Sequence, residues 1–432
     1  MLLFWTIFAS YGWQQLKSKL LKSWDSQEAW NRIHLRNARR LVQGFMRLRG
    51  VFIKMGQVLS VLGGFLPKAF GQELEQLQDR VPPHKFREVE PRLRAGLGDD
   101  YMKHFDSFDH EPIAAASLAQ VHHAIDKDGN ELAVKLLYPG VDALIKRDMR
   151  VLRYAAKHAN KMFGLIHLPT VLEQLNDMLS RETNYANERA NMERMRKLFE
   201  GRDDVVVPEV VEELSADGLL TMSYEPGCKI TDMDALAREA IDVEQVAQLL
   251  VECYFAMLWT ERVFHADPHP GNFLVRPGPT LIILDYGAVE DVSDTLADGM
   301  KMVVLGAMMK SDDQILMGLE HMGFVAHDGD RELLATVGRK YLKALGDVKI
   351  DDFSRMDGDT VRKLSGFDQT RGKIRELMKH VRYPEGFFYV ERTLILLFGL
   401  VGRLSPKTGL PGLVGPYAMK AFAADMMGGM GG

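Results

Sequence analysis

The sequence predicts an α+β protein in which a small β-rich region precedes a larger helical region. Residues 105–141 alternate strand-like apolar runs with turns, whereas the residues after Glu225-Pro226-Gly227 have mostly helical periodicity. Further helical patterns precede the β-rich region. The expected organisation is a helical N-terminal extension over 1–104, a β-rich lobe with inserted helices over 105–225, a helical lobe over 226–425, and a disordered tail over 426–432.

The bulk composition fits a globular protein of about two or three domains. The 432 residues are 46% hydrophobic and 26% charged, and the net charge of −5 gives no electrostatic footprint for nucleic acid. Only two cysteines are present, Cys228 and Cys253. This count excludes a disulfide framework and a cysteine-based zinc site, and it favours a reducing compartment.

The first 50 residues combine an apolar tip, four of the five tryptophans, and nine basic residues against two acidic ones. These features favour a segment that lies on an anionic membrane surface. The alternative is a helix that packs on its own protein and exposes a basic face to water. Neither 1–9 nor 393–401 reaches the ~20 apolar residues that a span requires. The expected location is cytoplasmic, peripheral on the inner face of a membrane.

One stretch carries a recognisable chemical pattern. Asp267 is followed five residues later by Asn272, and a second acidic residue, Asp285, opens an Asp-Tyr-Gly sequence. This spacing is typical of the catalytic and metal loops of kinases. Phosphoryl transfer requires a carboxylate near the attacking oxygen, which suits Asp267, and oxygen ligands for Mg²⁺, which suit Asn272 and Asp285. Two apolar runs, 273–275 and 281–284, predict a hairpin that brings both ligands together.

Two other interpretations of this stretch remain open. His265, Asp267 and His269 alternate, a pattern that would also suit a lone metal site. The same loop is found in small-molecule kinases that resemble aminoglycoside and choline kinases.

A lysine in the β-rich region predicts a second group of site residues. Lys135 lies in the third predicted strand among apolar residues, where an unpaired ammonium group would be costly to bury. It should therefore contact a partner or the phosphates of a nucleotide. Glu188, in a helical region over 142–200, is a candidate partner, although it could be an exposed helix charge. The loop Ala114-Ala115-Ala116-Ser117 occupies the place of the glycine-rich loop of a protein kinase.

The remaining helical predictions place these motifs. Residues 38–62 have helical periodicity, and Lys54 and Gln57 share one face of that helix. A lysine on a helix is usually only solvated. Further helices are expected over 73–83, 243–264, 293–309, 312–322, 331–346 and 385–404, with strands over 205–210 and 219–224 and a loop over 358–372.

Together these motifs resemble the UbiB/ADCK family of atypical, protein-kinase-like proteins. The matching segments fall in the family's order across residues 40–290. They are Lys54-Met-Gly-Gln57, Leu77 to Pro83, Ala114 to Ser117, Gln120-Val-His122, Ala133-Val-Lys135, Glu182 to Asn191, His265 to Asn272 and Asp285-Tyr-Gly287. The Lys-x-Gly-Gln helix and the alanine-rich loop are specific to this family, and aminoglycoside and choline kinases lack both.

The resemblance implies a two-lobed protein-kinase-like fold with a helical extension over the cleft. It also implies ATP and Mg²⁺ as cofactors, and an alanine-rich loop that alters nucleotide preference. The roles it implies are as follows: Asp267 and Lys135 catalytic; Ala114, Ala115, Ala116, Ser117, Lys135 and Glu188 nucleotide-binding; Asn272 and Asp285 metal-binding; Lys54, Gln57 and Glu182 in the family-specific insert. The family usually has aspartate where this chain has Asn184, and a charged pair where it has Gly63-Gly64.

The favoured hypothesis is an ATP-dependent atypical kinase-like protein that hydrolyses ATP. As the resemblance implies, it would support isoprenoid quinone biosynthesis or lipid handling, with an anionic membrane, an isoprenoid or lipid ligand and quinone-biosynthesis proteins as partners. One alternative is a phosphotransferase for a small molecule or lipid head group. A second is a nucleotide-sensing scaffold, which would not need Lys135, Asp267, Asn272 and Asp285 together.

Overall fold

In the structure, a computed structural model, the chain forms two compact units. It describes residues 2–20, 26–62, 67–77, 83–163, 168–326, 331–332, 334–336, 338, 381–382, 384–404, 407–408 and 412–419. The first unit contains the described residues up to 190 together with 209–224, and the second contains 191–208 and the described residues from 225 onward. The predicted helix at 331–346 lies mostly outside the described residues, and the loop at 358–372 and the tail at 426–432 lie entirely outside them.

Five helices begin the described part of the first unit. They are α1 (Leu2–Leu20), α2 (Gln27–Leu48), α3 (Val51–Leu62), α4 (Lys68–Leu74) and α5 (Phe86–Leu97). The prediction of one continuous helix over 38–62 is wrong at Arg49 and Gly50, where φ is +59° and +51° and the helix breaks. None of the described helices is both long and apolar enough to cross a bilayer.

An antiparallel sheet follows, as the alternating sequence predicts. Its strands are β1 (Phe105–Phe108), β2 (Ala114–Ala115), β3 (Ala119–Asp126), β4 (Glu131–Leu137) and β6 (Leu219–Ser223). The strand order is β1-β3-β4-β6, and β2 pairs with β3. Leu132, Val134 and Leu136 of β4 face a core that includes Val89 and Leu93 of α5. Because side chains alternate along a strand, Lys135 lies on the opposite face.

The predicted helical region over 142–200 forms three helices. They are α6 (Val141–Phe163), α7 (Leu168–Glu182) and α8 (Tyr185–Leu198). Asn184 begins α8, because its Oδ1 accepts a hydrogen bond from the Asn187 N–H at 3.0 Å. Asparagine and aspartate cap helices about equally well. The replacement of the family's aspartate by Asn184 therefore removes a charge but keeps the helix start.

The second unit is mainly helical. Among the described residues its helices are α9 (Met233–Arg238), α10 (Val243–Ala256), α11 (Asp294–Met309), α12 (Asp312–Met322) and α13 (Phe387–Leu404). The expected helix over 243–264 is shorter, because a π-helical turn, Met257–Glu261, follows α10 and Val263 begins a strand. Most of α10 is buried.

The strands of the second unit are short. They are β5 (Val205–Val206), β7 (Cys228–Lys229), β8 (Val263–His265), β9 (Phe273–Arg276), β10 (Thr280–Ile283), β11 (Val289–Asp291), β12 (Val325–Ala326) and β13 (Val381–Arg382). The predicted hairpin is present as β9–β10. The strand predicted over 205–210 is only two residues long. It pairs in parallel with β10 and so groups with the second unit, not with the β-rich lobe expected over 105–225.

Candidate functional site

In the first unit, β4 and α8 bring an ion pair together. Lys135 Nζ lies 2.6 Å from Glu188 Oε1, and only 14% and 2% of the two side chains are exposed. The ammonium group also lies 5.3 Å from the ring centroid of Tyr185. The pairing expected from the sequence is therefore present, and the interpretation of Glu188 as an exposed helix charge is wrong. Burial of both groups makes each strongly dependent on the other.

The alanine-rich segment forms a tight hairpin between β2 and β3. Ala115 pairs with Gln120 in the sheet, and the Ala116 N–H donates to the Ala119 carbonyl at 2.8 Å. The Tyr138 hydroxyl donates to the Ala116 carbonyl at 3.3 Å. Ala114 and Ala116 are exposed, whereas Ser117 is buried. The backbone of this hairpin is thus held by its own sheet, while its alanine tip remains accessible.

A buried polar network fixes the same hairpin, and it explains the Gln120-Val-His122 motif. The His84 N–H donates to Gln120 Oε1 at 2.9 Å, so the amide nitrogen of Gln120 donates to His122 Nε2 at 2.9 Å. His122 Nδ1 donates to the Asp109 carbonyl at 2.8 Å. Burial lowers the pKa of His122. The imidazole is therefore neutral, with Nε2 as the acceptor that this network needs.

The Lys-x-Gly-Gln segment lies on α3 and contacts two other elements of the first unit. Lys54 forms an ion pair with Glu182 at the end of α7, and Gln57 Nε2 donates to the Leu77 carbonyl at 2.9 Å. A Cβ at Gly56 would lie 2.2 Å from Leu77 Cδ1, so a larger residue here would require the buried Leu77 side chain to shift. Lys54 is therefore not merely solvated. Its ion pair with Glu182 joins two of the three residues expected in the family-specific insert.

In the second unit, the catalytic-loop candidate Asp267 is held on both carboxylate oxygens. Asn272 Nδ2 donates to the Asp267 carbonyl at 3.0 Å and to its Oδ2 at 3.3 Å. Arg392 Nη2, from α13, donates to Oδ1 at 3.2 Å. The side chain of Asp267 remains 37% exposed, so an incoming hydroxyl group or water can still reach it. No sequence motif identified Arg392; the only signal was its position directly before the apolar run 393–401.

Asp285 occupies a strained backbone position. Its φ of +58° is uncommon for a residue other than glycine. His265 Nε2 donates to its carbonyl at 2.6 Å, and the Gly287 N–H donates to its Oδ1 at 3.1 Å. His265 Nδ1 lies 3.2 Å from the hydroxyl of the buried Tyr254. Strained residues held by such contacts cluster at functional sites.

The hairpin register tests whether these residues suit a metal ion. The Leu284 N–H donates to the Asn272 carbonyl at 2.8 Å, so Asn272 lies opposite Leu284 and beside Asp285. Because the amide nitrogen of Asn272 binds Asp267, its oxygen is the atom available to a cation. A carboxylate and an amide oxygen are ligands that Mg²⁺ accepts. The residues therefore fit Mg²⁺.

The alternative of a lone His/Asp/His metal site does not fit. Both ring nitrogens of His265 face protein groups, and His269 Nδ1 accepts a hydrogen bond from the Gly271 N–H at 3.1 Å. Among the residues that the structure describes, no group of three or more His, Cys, Asp or Glu side chains is arranged to hold a metal ion. The roles of the individual site residues stay predictions, although their local pairings are in place within each unit.

Comparison with known proteins gives a family match. The profile of the ABC1 atypical kinase-like domain matches residues 76–318. ACTIVITY OF BC1 COMPLEX KINASE 8, chloroplastic, from Arabidopsis thaliana is 29% identical over 409 residues, covering 89% of this chain and 54% of that protein. AarF domain-containing protein kinase 1 from Xenopus laevis is 33% identical over 270 residues, covering 61% of this chain and 52% of that protein. The chain thus spans about half the length of these relatives.

A solved structure supports the fold alone. Rv3197 from Mycobacterium tuberculosis, determined in complex with erythromycin, is 24% identical, with a TM-score of 0.52. The match covers 89% of this chain and 98% of that one.

Proposed function

Because the chain belongs to the ABC1 atypical kinase-like family, we propose that it binds ATP with Mg²⁺ and hydrolyses it in support of isoprenoid quinone biosynthesis or lipid handling at a membrane. Membership confirms the UbiB/ADCK resemblance and the kinase-like fold class predicted from the sequence. The activity, its metal dependence and its physiological setting are the proposal.

The observation that carries this proposal is the buried Lys135–Glu188 pair. A strand lysine paired with a helix glutamate is a contact that protein kinases require for phosphoryl transfer. The 2.6 Å separation holds the ammonium group in one position, and in the proposed function that group would contact nucleotide phosphates. A residue with only a stabilising role would more simply be apolar, since apolar replacement of a buried ion pair is often neutral or stabilising.

The second unit supplies the other chemical groups of the proposal. Asp267 would orient the attacking oxygen, and its contacts to Asn272 and Arg392 hold the carboxylate in one position. Asn272 and Asp285 would hold Mg²⁺, which when bound neutralises charge on the phosphates. The strained backbone of Asp285, with its carbonyl held by His265, sets the direction of that carboxylate.

The experiment that tests the activity follows the fate of the γ-phosphate. Purified protein is incubated with ATP and Mg²⁺, and released phosphate and mass-labelled products are measured for the wild type and Asp267→Asn. Release to water in the wild type, greatly reduced in Asp267→Asn, supports an ATPase. Label found on an added lipid or small molecule would instead identify a phosphotransferase. No turnover of ATP at all would overturn both interpretations.

The membrane part of the proposal is supported by one face of α1. Ile7, Phe8 and Tyr11 of this helix are buried, which agrees with the packed-helix alternative for that side. The other side exposes large apolar residues at helical spacing, including Leu2 at 83%, Trp13 at 61% and Leu20 at 72%. Lys17 and Lys19 follow in the last turns. An exposed apolar stripe beside basic charge suits the surface of an anionic membrane.

Vesicle binding tests this surface directly. We expect the protein to bind phosphatidylglycerol vesicles, with binding weakened by salt because each basic residue contributes about 1 kcal/mol of screened attraction. Replacement of Trp13 and Leu20 by serine should reduce binding severalfold, whereas Met309→Ser, which removes a similarly exposed apolar side chain on α11, should not. Equal binding by both variants would contradict the membrane surface but leave ATP hydrolysis untouched. Stimulation of hydrolysis by these vesicles would further link the two activities.

A further inference from the structure

An arginine far from the catalytic loop in sequence contacts the catalytic-loop carboxylate. Arg392 on α13 lies 125 residues after Asp267, yet its Nη2 is 3.2 Å from Oδ1. Asn272 occupies the other carboxylate oxygen, Oδ2, at 3.3 Å. The two donors therefore approach the carboxylate from different elements and restrict its rotation. Residue 392 lies outside the matched family domain, which ends at 318.

The helix that carries Arg392 is fixed to the loop by a second contact. The buried Thr393 hydroxyl donates to the Ala266 carbonyl at 3.2 Å, one residue before Asp267. Farther along α13, Leu397, Leu400 and Val401 are buried in the core of the second unit. Arg392 is thus presented from a packed helix rather than from a mobile loop, and such support gives precise placement.

The loop itself contains no permanently charged basic residue. Residues 263–275 include neither lysine nor arginine, and Ala266 stands where the kinase pattern His-Arg-Asp has its arginine. Arg392 therefore supplies the cation that the loop lacks. Its guanidinium group is charged at any physiological pH and has several N–H donors in a fixed plane. A single interaction with Oδ1 leaves room for the carboxylate to face an attacking oxygen.

We infer that Arg392 is a positioning residue for Asp267, and that α13 is thereby part of the phosphoryl-transfer machinery. The inference rests on the proposed function. Arg392 holds the carboxylate in the orientation needed for the attacking oxygen, so that this order does not have to be gained in the transition state. Misplacement of a catalytic group by about 1 Å can cost ~10²-fold in rate. Loss of Arg392 should therefore lower kcat and leave nucleotide binding nearly unchanged.

The test compares Arg392→Ala with Arg403→Ala in steady-state hydrolysis of MgATP. Arg403 lies on the same helix and is exposed, which makes it a matched control. We expect kcat to fall about 10- to 100-fold in Arg392→Ala only, with the Kd for MgATP within about twofold of wild type. Arg392→Lys should retain more activity. Guanidinium ion at non-denaturing concentration should partly restore Arg392→Ala but not Asp267→Asn.

Each outcome decides the inference. Equal kcat in Arg392→Ala and Arg403→Ala would overturn the positioning role while leaving the ATPase intact. A fall in kcat that follows lost thermal stability, with no rescue by guanidinium or by lysine, would make Arg392 merely structural. Thr393→Val separates the positioning role from the structural role, because it removes the hydroxyl group that anchors α13 to the Ala266 carbonyl but keeps the guanidinium charge of Arg392. An inactive wild-type protein would instead overturn the proposed function itself.

Discussion

Replacing Lys135 by methionine tests the buried ion pair most sharply. The substitution keeps an unbranched side chain of similar length in β4 but removes the ammonium group 2.6 Å from Glu188 Oε1. Glu188 is only 2% exposed, so water cannot readily take over the role of the lysine. The variant should therefore lose folding stability as well as phosphate contact.

The size of the effect follows from burial. Removing one partner of a buried ion pair typically costs about 3–5 kcal/mol, because the remaining charge stays buried without compensation. Replacing both partners by apolar residues is often neutral. We therefore expect Lys135→Met to destabilise the first unit by about 3 kcal/mol, and the double variant with Glu188→Met to regain most of that loss. Both variants lack the ammonium group, so neither should bind nucleotide with wild-type affinity.

Urea unfolding followed by tryptophan fluorescence measures this difference. Four of the five tryptophans lie in the first 50 residues, so the signal reports mainly on the first unit. Arg39→Gln on α2 is a control within the same unit, because the exposed Arg39 pairs with Glu73 at the surface, where ion pairs contribute little. A loss below ~1 kcal/mol in Lys135→Met, or a double variant less stable than either single variant, would refute the reasoning.

Three further predictions concern the first unit. Burial lowers the pKa of His122, so the unfolded chain takes up a proton as pH falls below about 6.5 while the folded chain does not, and the free energy of unfolding should fall over that range. This pH dependence should be weaker in His122→Gln, whereas the exposed control His321→Gln should show the same pH dependence as the wild type. Gly56→Ala places a Cβ 2.2 Å from Leu77 Cδ1 and should cost about 1–3 kcal/mol in chemical denaturation, whereas Gly71→Ala, in open space on a helix, should be neutral or stabilising. Ala115→Gly frees the backbone of the alanine hairpin and should change the ratio of ATP to GTP affinity in competition binding; an unchanged ratio would separate the hairpin from nucleotide recognition.

Much of the local structure could be predicted because it depends on neighbouring residues. The sequence predicts a strand at Lys135 and a partner for its ammonium group, and the two apolar runs around a Pro/Gly turn place Asn272 beside Asp285. These patterns act over a few residues, where periodicity and turn chemistry determine the fold. The helix break at Arg49 and Gly50 was missed because the apolar spacing continues across it, although Gly50 is itself a local signal for a helix end.

The contacts that could not be predicted join residues distant in sequence. Arg392 meets Asp267, and Tyr254 meets His265, through packing between elements rather than through any spacing. Val205 carries the apolar signature of a strand, but that signature does not say which sheet the strand joins, and it pairs with β10. Long-range partner choice is decided by the whole core, which a single sequence does not display.

We propose that this chain binds ATP through Mg²⁺ held at Asp285. Titration calorimetry, with Mg²⁺ and with a chelator, measures the ATP affinity of the wild type, Asp285→Asn and Asp291→Asn directly. Asp291 is an exposed aspartate of β11 and serves as the control. We predict Mg²⁺-dependent binding in the wild type and in Asp291→Asn, and nearly none in Asp285→Asn, because Mg²⁺ takes few ligands from protein and one of them loses its charge. Unchanged MgATP affinity in Asp285→Asn would contradict the claim.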